Sequence, residues 1–292
     1  MIPNAYETGR VWRCFCRHRL AVGGLGFIVV LMAGALFAPQ LAPQDPYRIG
    51  SEFSAAPNKE HRLGTDPVGR DVLSRLIYGS RVSVSVSLGA VALTTLLGIV
   101  LGLESGYFGG LWDMIIMRIA DVFMSFPSMM LIMIVSSIAG PGLDRMILIM
   151  GILGWPSVAR LVRSMVLSIK QQDYTKSAVT LGFNSQRILF IHILPNALGP
   201  ILVNATFGIA RSILMESSLS FLGMGVNPPT ASWGNMLTDA QSLSTLTARP
   251  WLWVPPGLLI LLSVLAFNFV GDGLRDALDP QSQHIGDKTL KY

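Results

Sequence analysis

The residues of this chain that could do chemistry are few, and their spacing argues against most chemistry. Histidine occurs four times, at His18, His61, His192 and His284, and cysteine twice, at Cys14 and Cys16. None falls in an HExxH pair or a Cys/His cluster, no glycine is followed by lysine as a GxxxxGK[ST] phosphate loop requires, and no GxSxG nucleophile elbow occurs. No catalytic residue and no metal site is expected. The two cysteines sit among arginines in the N-terminal segment and read as inert, reduced thiols. The methionines Met124, Met129, Met130, Met133, Met146 and Met150 could ligate soft metals, but their type suits filling gaps between helices.

Two other groups of residues carry more information. Arg118/Asp121 and Arg211/Glu216 are charges inside apolar runs. A charge at mid-bilayer depth costs at least about 2.5 kcal/mol on insertion scales, so each needs a partner or water. Arg118 and Asp121, three apart, could pair on one helix face or could line a path or a subunit contact. Arg211 and Glu216 lie five apart, about 140° around a helix, which disfavours a direct pair. They either join other partners or face a hydrated path. The third feature is DYTKSAVTLGFNSQRILFIHILPN, residues 173–196, a basic stretch between two apolar segments. Asp173 is expected to cap a first short helix, Gly182 to end it at positive φ, Asn184 or Ser185 to cap a second, and Pro195 to close the unit. So ordered a loop is suited to gripping a partner.

The elements that hold these residues follow from hydropathy. Of 292 residues 51% are hydrophobic and 13% charged, and mean hydropathy is +0.53, an excess that asks for a bilayer rather than a soluble core. The net charge of +5 is spread along the flanks of apolar runs, which argues for positive-inside topology and against nucleic acid. Six spans are expected: 20–38, 82–103, 113–139, 144–167, 197–222 and 251–270. The first is too long for a signal-peptide core. VSVSVS at 82–87 alternates like a strand, yet a lone strand cannot satisfy its backbone in lipid, so it opens the second helix. Pro127 lies inside the third span. Arg145, Arg160 and Arg163 are expected to snorkel from the ends of the fourth, and Gly151, Gly154 and Pro156 to mark close contacts or a kink. Residues 39–81 form an outer segment with an interfacial amphipathic helix capped by Thr65/Asp66 within GTDPVGRDVLSRLIYGSR. Residues 1–19 and 276–292 are cytosolic ends, and 82–275 form a five-helix core.

Within that frame the 173–196 loop resembles the EAA loop of binding-protein-dependent ABC importers, whose pattern is EAA, three residues, Gly, nine residues, then I-x-L-P. Here these positions are Lys176-Ser177-Ala178, Gly182 and His192-Ile193-Leu194-Pro195. Lys176 stands where the family has Glu. GTDPVGRDVLSRLIYGSR, DVFMSFPSMML, SFLGMGVNPPTASWGNML and AFNFVGDGLRDALDP are similar to stretches of the C-type permease of the dipeptide/oligopeptide branch, over residues 20–280. The resemblance implies an all-α type I importer permease in a bacterial cytoplasmic membrane, with both termini cytosolic. It implies a homologous second permease as heterodimer partner, an extracytoplasmic solute-binding protein, and two ATPases that carry the ATP and Mg while this chain binds no cofactor. Asp173, Tyr174, Lys176, Ser177, Ala178, Gly182, His192, Leu194 and Pro195 would form the ATPase-coupling loop. The implied cargo is peptide. Nickel chelates or glutathione are an alternative within the class, and a self-sufficient secondary transporter or channel, or a scaffold that anchors the ATPases, an alternative outside it.

Overall fold

The computed structural model describes residues 5–278, and the described residues are helical apart from connections and one bridge between Thr65 and Asp71. In chain order the helices are α1 (Ala5–Arg17), α2 (Arg19–Leu36), α3 (Ala38–Leu41), α4 (Val72–Phe108), α5 (Gly110–Ser125), α6 (Ser128–Ala139), α7 (Leu143–Lys170), α8 (Asp173–Thr180) and α9 (Ser185–Arg187). A π-helical stretch, Ile188–Ile193, leads into α10 (Leu194–Phe221). Then come α11 (Trp233–Met236), a 3₁₀ turn Leu237–Gln241, α12 (Leu243–Ala248) and α13 (Pro250–Leu278). Five helical stretches are long and apolar enough to cross a membrane, and the bent pair α5/α6 makes a sixth.

The third span is not straight. α5 and α6 meet at 89° across Phe126-Pro127. Proline lacks the N–H that an unbroken helix would use there and pushes the preceding residue to an extended conformation, as Phe126 is (φ −99°, ψ 144°).

The expected separate interfacial helix is also corrected. Asp71, not Thr65 or Asp66, is the cap: its carboxylate accepts from the Ser74 N–H and hydroxyl, each at 2.8 Å, and α4 runs on unbroken for 37 residues. At 1.5 Å per residue that is about 55 Å against about 30 Å of hydrocarbon, so the first turns of α4 stand beyond the membrane core as part of the second span. The preceding motif is a polar knot. Asp66 accepts from Arg70 Nε at 2.6 Å and lies 3.5 Å from Arg75 Nε, while His61 Nδ1 lies 2.9 Å from Asp71. Burial, and then the Asp66 carboxylate, push the nearby Asp239 carboxyl up from its ordinary range, against the opposing pull of Arg75 and Arg70.

The longest seam joins α4 to α7. Gly98, Gly102 and Gly106 on α4, four apart, face Val158, Val162 and Val166 on α7, also four apart, so the two backbones approach without intervening side chains. Gly151 and Gly154 of α7 meet Leu93 and Thr94 of α4 in the same way, as their residue type predicts. Arg145 donates to the Ala139 carbonyl at 2.6 Å, which satisfies the end of α6.

The chain's ends are packed as well. Phe15 of α1 and Ala277 of α13 share an apolar cluster with Ala21, and a Cβ on Gly199 would touch Leu278, so both ends of the described chain lie on the face that carries α8. The segment 37–71 and the segment 222–249 lie together on the opposite face, where Arg249 donates to Ser54 at 3.0 Å. His284 and the expected tail from residue 279 onward fall outside the described residues.

Candidate functional site

The loop 173–196 is built as a short arm fastened at its foot. Gln172, not Asp173, is the N-cap of α8, and Asp173 is the first helical residue, where its negative charge suits the exposed N–H groups. α8 ends in a Schellman turn. The Gly182 N–H donates to Val179 O and the Phe183 N–H to Ala178 O, and Gly182 takes φ +75°, which a side chain would oppose. Thr175 and Ala178 are buried against the bundle, Ala178 in a cluster with Val166, Ile169, Ile188 and Ile193 at the foot of α7 and α10. Asp173, Tyr174, Lys176, Ser177, Val179 and Leu181 stay exposed.

The second limb differs from a closed unit ending at Pro195. Asn184 caps it as expected, accepting from Gln186 N at 3.3 Å, but helix then runs continuously from Ser185 to Phe221. Pro195 lies in the first turn of α10, and the π stretch before it re-pairs the backbone: the Leu194 N–H reaches back five residues to Leu189 O. Asn196 Nδ2 donates to His192 O at 2.6 Å. His192 stacks on Phe183 with ring centroids 6.2 Å apart, and Arg187 Cζ lies over the Phe183 ring, 4.5 Å from its centroid. This stack ties the two limbs of the arm together.

A cavity of about 230 Å³, mostly apolar with several polar side chains, lies among α4, α6, α7 and α10. Thr94, Thr95, Ser128, Ser157 and Asn204 line it with neutral polar groups, and Arg211 is its one ionisable lining residue. Glu216, placed with Arg211 by sequence, is elsewhere. It is fully buried and accepts from Ser83 of α4 at 2.9 Å and Ser220 at 2.8 Å. The Ser83 oxygen also accepts the Trp233 N–H at 3.2 Å, so Glu216 braces α10, α4 and α11 together. Trp233 is itself fully buried, and Ser232 and Asn235 form a capping box around it. The two charges of α10 therefore do different work, and they do not pair.

Arg118 and Asp121 pair only weakly, at 4.0 Å. Asp121 instead accepts from Arg160 of α7 at 2.6 Å, and Asp113 holds Arg163 through two bonds at 2.5 and 2.6 Å, with Ser105 as a further short contact to Asp113. Arg160 and Arg163 thus form ion pairs between helices rather than snorkelling to an interface. Sequence reasoning missed Asp113 and Ser83 as partners, because their contacts span 50 and 133 positions.

A family model described as binding-protein-dependent transport system inner membrane component matches residues 95–284, which include the whole arm and the cavity lining from Thr95 onward. The chain belongs to this family. A second model, the N-terminal transmembrane domain of oligopeptide transport permease C, matches residues 8–59 and marks the C-type branch. The chain is 42% identical over 277 residues to the dipeptide transport system permease protein DppC of Haemophilus influenzae, covering 92% of this chain and 93% of that one. It is 40% identical to the di/tripeptide transport system permease protein DppC of Pseudomonas aeruginosa, with 92% and 91% covered. Against the oligopeptide transport system permease protein OppC of Bacillus subtilis it is 42% identical, with 91% and 87% covered. As an inner-membrane component of the type I ABC permease family the chain is a multi-pass transport subunit and not an enzyme.

Proposed function

We propose that this permease subunit forms half of the translocation path of an ATP-driven peptide importer. The α8 face is cytosolic, and both ends of the described chain lie on it. A homologous second permease completes the path, two ATPases carrying ATP and Mg dock on the arm, and an extracytoplasmic binding protein delivers the solute to the opposite face. The observation that carries this reading is the construction of α8. One side is buried, Thr175 fully and Ala178 within the cluster at the foot of α7 and α10. The other side, from Tyr174 and Lys176 to Leu181, presents exposed polar and apolar groups to a partner. A push on α8 is transmitted to two spans at once, because packed interiors shift as units rather than deform. The peptide cargo rests on the names borne by the relatives. The experiment is copurification from native membranes: recovery of an ATPase pair, a second permease and a peptide-binding protein is expected. Recovery of this chain alone, with dipeptide uptake unchanged in cells that lack it, would overturn the proposal.

A further inference from the structure

Resting on that reading, we infer that Arg211 is a specificity-determining residue that binds the carboxylate of the cargo as it passes. Among the described residues Arg211 makes no ion pair and no side-chain hydrogen bond, although it sits in the middle of a membrane-crossing helix. Its nearest acidic residue on the helix, Glu216, has both oxygens engaged by serines and turns to α4 and α11. No Asp or Glu lines the cavity. A cation held at such depth without a counter-charge is costly unless water or a passing anion meets it. The guanidinium fork matches a carboxylate with two parallel hydrogen bonds, a match that neither a neutral amide nor a cation offers.

The rest of the lining fits the same cargo. Thr95 and Asn204 offer neutral donors and acceptors, and the Thr94 and Ser157 hydroxyls, which donate to the Gly151 and Gly154 carbonyls at 3.1 and 3.2 Å, offer acceptors, a set suited to peptide groups of any sequence. Met150 and Met215 supply adaptable apolar wall. Peptides of any sequence with a free end share one anion, the C-terminal carboxylate, so a single arginine can select peptides while tolerating their side chains. The cavity is smaller than the roughly 300–1,000 Å³ of a complete ligand site, as half of a shared path should be.

The test compares uptake of a labelled dipeptide and of its C-terminal amide by the complete reconstituted importer, with wild-type chain, Arg211→Gln and Arg211→Lys. Each variant's uptake is divided by wild-type uptake of the same compound, which cancels the binding protein's own preference. Arg211→Gln is expected to lower uptake of the free acid by about tenfold or more, the range for a hydrogen bond to a charged group, and to leave the amide within about twofold. Arg211→Lys keeps the charge without the two-bond fork, so its free-acid uptake is expected to fall between those of Arg211→Gln and wild type. Where the binding protein delivers no amide, line broadening of each compound by the purified complex without binding protein reads the same ratio. Equal loss of both compounds, or loss of complex assembly on gel filtration, overturns the inference in favour of an arginine that clamps the second permease. No change in either compound overturns it as well. If the wild-type importer takes up neither compound, the peptide reading itself falls.

Discussion

Gly102→Ala adds one methyl to the strip of α4 with least room for it. Built on the existing backbone, the new Cβ falls 2.6 Å from the Ala159 carbonyl oxygen and 2.7 Å from Val162 Cβ. Ordinary contact begins near 3.4 Å, and a backbone carbonyl cannot rotate away. The two helices must therefore part by about 0.8 Å, a gap that forfeits a quarter to a half of each dispersion contact it opens. Overpacking of this kind costs about 1–3 kcal/mol, and the better helix propensity of alanine returns up to about 1 kcal/mol. A net loss of about 1–2 kcal/mol is expected, or a fall of roughly 2–8 °C in unfolding midpoint. Gly26→Ala is the internal control, since its Cβ meets nothing within 4 Å. The assay is the fraction of purified chain that remains monodisperse after heating in detergent. If Gly102→Ala matches or exceeds Gly26→Ala, the close-approach account of the α4–α7 seam is wrong.

Three further outcomes follow from the arm and from the brace. Gly182→Pro fixes φ near −65° and removes the N–H given to Val179, so solute-stimulated transport should be abolished while the complex still assembles; normal transport would refute the lever. Glu216→Ala orphans the Ser83 and Ser220 hydroxyls and should cost about 2–4 kcal/mol, with faster proteolysis of segment 222–249; unchanged cleavage would refute the brace. Lys176→Glu, at an exposed position, should leave the unfolding midpoint in place and change only the salt dependence of ATPase copurification; a shifted midpoint would mean that Lys176 packs in the fold.

What was legible in the sequence was whatever the bilayer or a single turn dictates locally. The apolar runs located the spans, and the Gly182 turn, the Asn184 cap and the close approaches of Gly151 and Gly154 could be read from residue type alone. The bend at Phe126-Pro127 was not read: Pro127 was seen inside the third span, but the 89° turn depends on α6 packing onto α7 through Ile132 and Met146. The cap at Asp71 was misplaced because Thr65 and Asp66 satisfy the same local pattern, and only the contacts of Asp66 with Arg70 and Arg75 remove it from competition. The continuity through Pro195 depends on a π stretch that no spacing rule signals. Glu216 could be seen as costly, and Ser220 one turn on was a legible partner, but Ser83 and Trp233 come from distant helices. Charges in spans reveal that a partner exists without revealing which one.

The most direct test of the central claim is uptake of labelled dipeptide into proteoliposomes. Vesicles that contain this chain, the second permease, both ATPases and external binding protein should accumulate peptide only with ATP inside on the α8 side, and omission of this chain should abolish uptake. Solute flux without ATP through vesicles that contain this chain alone would contradict the account.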